Sequence, residues 1–202
     1  MKSILVFIVI LPTLLPAQTS LVDARDGNAY AITRIENLMW MKEDLRFETS
    51  ASHCPTFDRT GEGCTGSNFY SYQELENVCP EGWRLPTTED WDVLITTFDP
   101  SKKVKMLEKN KKFYRVDFLD RYDVFKNNTL GLKPIGRTQG NVRKYGDYAD
   151  YWTINTQLND PRFHIHVSPY TIVGHVHKHN VNQRNETKNR KFAVRCVCER
   201  KQ

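Results

Sequence analysis

The chain has 202 residues, with 29 Lys and Arg against 24 Asp and Glu and a formal net charge of +5. That length suits a single core burying well over half of the unfolded surface, and so mild a charge argues against nucleic acid as the partner. Five cysteines, Cys54, Cys64, Cys79, Cys196 and Cys198, lack the paired knuckle spacing of structural zinc, so they read as a disulfide set with one thiol left over.

Lys2 precedes an apolar run from Ile4 to Leu15 that closes at Leu15-Pro16-Ala17, the form of a cleaved export signal. Pro12 and Pro16 interrupt the run, and it falls short of the ~20 residues that span a bilayer. Cleavage after Ala17 is expected, leaving a mature domain from Gln18 to Gln202 with no transmembrane segment and a charge of +4. Export to an oxidising compartment favours disulfides over metal thiolates.

Asp26-Gly27 punctuates the start of the mature chain, and Tyr30, Ile32 and Ile35 followed by Leu38 to Met41 predict an opening pair of strands around Glu36-Asn37. Residues 46–68 are polar and glycine-bearing and predict a loop, for which a Cys54–Cys64 bridge would supply a covalent tie. Ser71 to Glu74 has the form of a capping box, with Leu75, Val78 and Cys79 on one face of a short first helix. Thr87 to Asp90 opens a second helix, whose Trp91, Leu94, Ile95 and Phe98 follow helical spacing until Pro100. Residues 101–112 are lysine-rich and read as a solvated charged face, with a short surface helix as the other option.

From Gly131 helical periodicity disappears. Residues 163–167, 171–179 and 191–198 alternate with period two, as half-buried strands do, so the fold class is α+β. Tyr145, Tyr148, Tyr151 and Trp152 lie in a glycine-punctuated stretch that reads as a loop, where rigid aromatic groups make good contact residues. Asp147 and Asp150 are interleaved with them as acceptors for sugar hydroxyls or a hard cation. Trp83, Arg84 and Trp91 offer a ligand platform on paper, but the helical position of Trp91 makes core packing the better account.

Five of the six histidines fall between residues 164 and 179. His164 and His166 share one strand face, and His175, His177 and His179 another, so a hairpin turning near Ser168-Pro169-Tyr170 sets the two rows side by side. Zinc or copper would suit His164, His166, His175 and His177. Ordinary exposed strand positions are the plainer explanation. No nucleophile elbow, phosphate loop or His-Glu-x-x-His pair is present in the sequence.

Cys79-Pro80-Glu81-Gly82-Trp83-Arg84-Leu85-Pro86-Thr87, followed by Glu89-Asp90-Trp91, resembles the signature of the Fibrobacter succinogenes major paralogous domain, a family of exported bacterial proteins. Residues 23–30, Trp40 to Leu45 and Phe192 to Val197 match in the same order, so the resemblance spans essentially the whole mature chain. The family in turn resembles the fold of C-type lectins and the formylglycine-generating enzyme. This implies a C-type-lectin-like domain with two short early helices and a twisted antiparallel sheet, closed by a Cys79–Cys196 bridge with Cys198 free. On a strand Cys198 faces the same way as Cys196, and only the family pattern chooses between them. The paired copper-binding cysteines of that enzyme have no counterpart here, and the Glu-Pro-Asn and Trp-Asn-Asp calcium tripeptides of sugar-binding lectins are absent from the sequence. The expected function is a non-catalytic extracellular or cell-surface module that contacts a protein or glycan and needs no cofactor. A histidine-based metal-binding protein and an oxidase-like enzyme on the same fold are the alternatives.

Overall fold

Alternation of apolar and polar residues builds the first sheet. In β2 (Ala29–Ile35), Tyr30, Ile32 and Ile35 are buried while Ala29, Ala31 and Arg34 face solvent. The chain reverses through Glu36, whose φ of 51° is left-handed, and Arg34 donates to the Glu36 carbonyl at 2.7 Å across the turn. Leu38 to Met41 then form β3, and β1 (Ser20–Val22) and β13 (Val197–Glu199) complete a four-stranded antiparallel sheet in the order β1-β2-β3-β13. The predicted opening strand pair is present. The computed structural model describes residues 19–52, 66–98 and 190–199, with the stretches 105–106, 114–117, 126, 129–139, 142–144, 148–155, 160–168 and 171–176.

The helix α1 (Thr88–Phe98) starts where its capping chemistry says it should. The Asp90 N–H donates to the Thr87 hydroxyl at 3.2 Å, and the Thr87 N–H donates to Asp90 Oδ2 at 2.7 Å, a reciprocal satisfaction of two donors that the helix cannot use. Trp91, Leu94 and Ile95 are the buried stripe. Trp91 meets Trp40 edge-on at 5.6 Å between ring centroids, and its indole N–H donates to Thr153 at 3.0 Å.

The larger sheet has nine strands. Its order is β5 (Lys105–Met106), β6 (Tyr114–Asp117), β11 (Thr171–Val176), β10 (Asp160–Val167), β9 (Ala149–Asn155), β12 (Arg190–Ala193), β7 (Arg137–Gln139) and β8 (Val142–Lys144), with β4 (Phe69–Tyr70) also pairing β12. Every pairing is antiparallel except β12 with β9. Both faces of β9 are covered. Tyr151 packs with Trp91, Leu94 and Ile165 on one side, while Trp152 packs with Phe192, Tyr70 and Leu85 on the other.

Three expectations change. The first predicted helix is a 3-10 turn, Tyr72–Glu74, because the capping box at Ser71 and Glu74 is followed at once by Asn77 in the left-handed region and by Pro80. Lys105 and Met106 lie in a strand and so belong to no surface helix, while the rest of residues 101–112 lies outside the described residues. The aromatic stretch predicted as a loop is strand from Ala149 onward, and Tyr151 and Trp152 are wholly buried, so they are core residues and not contact groups. Among the described residues the fold is therefore a mostly antiparallel β structure with one α-helix.

A disulfide joins Cys79 to Cys196, 117 residues apart, and Cys198 is a free, half-buried thiol whose ionisation burial opposes. Cys54 and Cys64 lie outside the described residues, as does the segment 1–18. Among the described residues no helix is long and apolar enough to cross a membrane. Beside the bridge the buried Asp44–Arg195 ion pair ties the segment after β3 to the last segment: Arg195 Nε donates to Asp44 Oδ1 at 2.9 Å, Nη2 reaches the same oxygen, and Nη1 donates to the Lys42 and Leu130 carbonyls. Burial by itself works against the Arg195 charge, but the Asp44 carboxylate outweighs it and raises the guanidinium's hold on its proton.

Candidate functional site

Strand pairing brings together residues from two separate sequence predictions. The β9–β10 register places His166 opposite Asp150 and His164 opposite Trp152. Asp150 is fully buried, and a carboxylate there is tolerable only with charged or hydrogen-bonding partners. It has them. His166 Nδ1 lies 2.7 Å from Asp150 Oδ1, Arg137 Nη1 donates to Oδ2 at 3.2 Å, and His164 Nε2 stands 3.9 Å from Oδ1.

The contact with a carboxylate assigns the His166 proton to Nδ1, which leaves Nε2 as the acceptor of the neutral ring. That is the tautomer a histidine needs to receive a ligand hydroxyl or to ligate a metal from its outer nitrogen. Tyr148, half-buried just before β9, packs its ring at a tilt of 33° against the His166 ring, 4.9 Å between centroids, and the Arg137 guanidinium lies 5.7 Å from the Tyr148 ring centre. Burial raises the Tyr148 phenol above its ordinary value, with Arg137 opposing, so the hydroxyl is a neutral donor and acceptor near pH 7. His164 differs from His166. It is 3% exposed and stacked on Phe192 at 4.5 Å, which makes it a packing residue as much as a polar one.

The predicted residues thus divide. Tyr148, Asp150, His164 and His166 converge; Tyr151 and Trp152 are in the core; Tyr145, Asp147, His177 and His179 lie outside the described residues. The β10–β11 register sets His175 opposite His164, the adjacency of the two histidine rows that the sequence predicts. Among the described residues no group of three or more His, Cys, Asp or Glu is arranged to hold a metal. Arg137 is not announced by either predicted set: the Gly136–Ala149 bridge and the Gly136 N–H bond to the Tyr148 carbonyl, just before β7, bring it within reach of Asp150.

The Trp83–Arg84 segment is not a platform with Trp91, which is core, yet it does line a cavity of about 580 Å³ beside the disulfide. Val78, Leu85 and Ile154 supply apolar walls, and Arg25 and Trp83 flank them. Arg84 is already paired with Asp90 at 2.6 Å and lies 3.8 Å from Glu199, while Arg25 holds Asp23 and the Asn77 and Val78 carbonyls. The arginines here stitch turns together.

The family model of the Fibrobacter succinogenes major domain matches residues 33–198, most of the chain, and the protein belongs to that family. The match runs from β2 through the signature at Cys79 to the free thiol in β13. No curated protein and no solved structure matches the chain.

Proposed function

Starting from membership in a family whose name carries no activity, we propose that this chain is exported with its leader removed after Ala17, and that it serves as an extracellular or cell-surface recognition module. In this reading the domain has C-type-lectin-like architecture and contacts a protein or glycan through its late sheet without catalysing a reaction. The observation that supports it is the Tyr148–His166 ring pair, half-exposed and clamped from below by Asp150 and Arg137. Paired ring faces beside a fixed network of polar groups suit a sugar ring, which presents an apolar face and a rim of hydroxyls. The only close cysteine pair in the sequence is Cys196 and Cys198, and Cys196 is spent in the bridge to Cys79, which argues against the dithiol chemistry of an oxidase.

A glycan array and a cell-surface binding screen with the mature protein test this. Tyr148→Ala is expected to weaken any ligand found by about tenfold, in line with the 0.5–1.5 kcal/mol of an aromatic contact beyond its buried area. Binding undiminished in both Tyr148→Ala and His166→Ala would move the contact surface elsewhere.

A second reading, a histidine metal site, draws on the His164–His175 register and on the carboxylate that orients His166. Arg137 counts against it, since a guanidinium already holds Asp150. Zinc titration by calorimetry on tag-free protein decides. The metal reading predicts binding that falls as pH drops below about 6.5, where free histidine protonates, and that is largely lost in His177→Ala. No heat above dilution at neutral pH would dismiss it.

A further inference from the structure

A cleft of about 280 Å³ opens over the Asp44–Arg195 pair, lined by Lys42, Glu43, Asp44, Arg46, Lys133 and Arg195, with Gly66 and Gly131 in its walls. Its acceptors are consumed. Glu43 Oε1 accepts from the Ala31 N–H at 2.9 Å and Oε2 from Arg46 at 2.6 Å; Asp44 Oδ1 accepts from Arg195, and Oδ2 accepts from the Ser67 hydroxyl at 2.8 Å. Although burial works against ionisation of Glu43, the Ala31 and Arg46 contacts outweigh it and hold its carboxyl below the ordinary value, so its charge is constant near neutrality.

Two of its donors are left over. Glu43 balances Arg46 and Asp44 balances Arg195, which leaves Lys42 and Lys133, both exposed and with no carboxylate partner among the described residues. The six side chains therefore carry a net charge of +2, focused in a concave site whose two carboxylates are already paired with arginines. Of the five N–H groups of Arg195, four are committed to Asp44, Lys42 and Leu130.

We propose that this cleft is a binding site for an oxyanion, a carboxylate or sulfate group, held between Lys42 and Lys133 above the Arg195 guanidinium. The site is separate from the Tyr148–His166 pair and does not depend on it. Acidic saccharides and free inorganic anions both present this chemistry. Neutral sugars lack the charge the site selects, and cations are repelled.

Calorimetric titration of the mature, disulfide-bonded protein with sodium glucuronate, sodium sulfate and glucose tests the proposal. Saturable binding of glucuronate and sulfate is expected, with none for glucose, weakening as sodium chloride rises from 50 to 500 mM. Sulfate binding without glucuronate binding would still support an oxyanion site and would assign it to sulfate groups. A Lys42→Gln, Lys133→Gln double variant should lose at least tenfold in affinity, while Arg34→Gln with Lys126→Gln, which removes the same charge elsewhere, should bind as the parent does. Both lysines are exposed, and thermal melts confirm that each variant is folded. No saturable heat with either anion, equal binding of glucose, or equal losses in the two double variants would overturn the proposal.

Discussion

The Asp23 carboxylate is 1% exposed and accepts three hydrogen bonds from one residue: the Arg25 N–H at 3.1 Å, Nε at 2.9 Å and Nη2 at 2.7 Å. Arg25 also lies over the Phe47 ring at 3.8 Å and reaches the carbonyls of Asn77 and Val78, so a local turn is coupled to the segment that carries Cys79. The side-chain bonds from Arg25 hold the Asp23 carboxyl below its ordinary value despite burial. A carboxyl with a depressed folded-state pKa contributes stability above its unfolded value of about 3.9 and loses it as pH falls through the folded one. Asp23→Asn should therefore be destabilising at pH 6, and the gap from the parent protein should narrow toward pH 2.5. Urea unfolding at both pH values measures it, and a gap independent of pH would show that charge has no part in the contact. The pairing was legible only in outline, since Asp23 to Tyr30 stood out as a family match but nothing in that string announces the reach of Arg25 to residues 77 and 78.

Among the elements, α1 was legible because two independent signals agree. Trp91, Leu94 and Ile95 mark its buried face, and Thr87 with Asp90 marks its start. Thr87→Ala removes the hydroxyl that accepts the Asp90 N–H and should cost about 1 kcal/mol in chemical denaturation. Asp90→Ala should cost more, because Asp90 also holds Arg84. The 3-10 turn at Tyr72–Glu74 carried an equally good cap but no periodic stripe long enough to extend it, and a first turn is costly to form without propagation. Strand β9 was misread for the opposite reason. A strand covered on both faces loses its alternation, so Ala149-Asp150-Tyr151-Trp152 looked like an aromatic loop. The candidate site was thus half legible: its histidines showed the period of strands, while the partner carboxylate was placed on the wrong kind of element.

At the scale of the molecule, residues 190–199 are the common member. They supply β12, which pairs with β4, β7 and β9, then Arg195 and Cys196, and finally β13, which pairs with β3. The bridge closes a loop of 117 residues, worth about 4–5 kcal/mol on the chain-entropy estimate. A Cys79→Ala, Cys196→Ala protein should be less stable by about that amount, read as the shift in the denaturant midpoint. A loss below about 1 kcal/mol would mean that the neighbouring Asp44–Arg195 pair and the strand pairings already restrain the same ends. Which cysteine joins Cys79 could not be read from spacing, because Cys196 and Cys198 are equivalent on an ideal strand; the fold separates them by burying one and leaving the other partly exposed.

That common segment also sets a clock. A polypeptide is delivered from its N-terminal side, at the ribosome or at an export pore, so β3 is available long before β13, and β9 has β10 beside it before β12 arrives. Neither sheet can be completed, nor the oxidation of Cys79 to its proper partner, until the chain has grown past residue 196. For that interval the domain is an assembly of open strand edges, prone to pair with other chains. The yield of folded protein should therefore depend on how long those edges wait, and co-expression of a holding chaperone on the export route is expected to raise the amount recovered with no change in its denaturant midpoint.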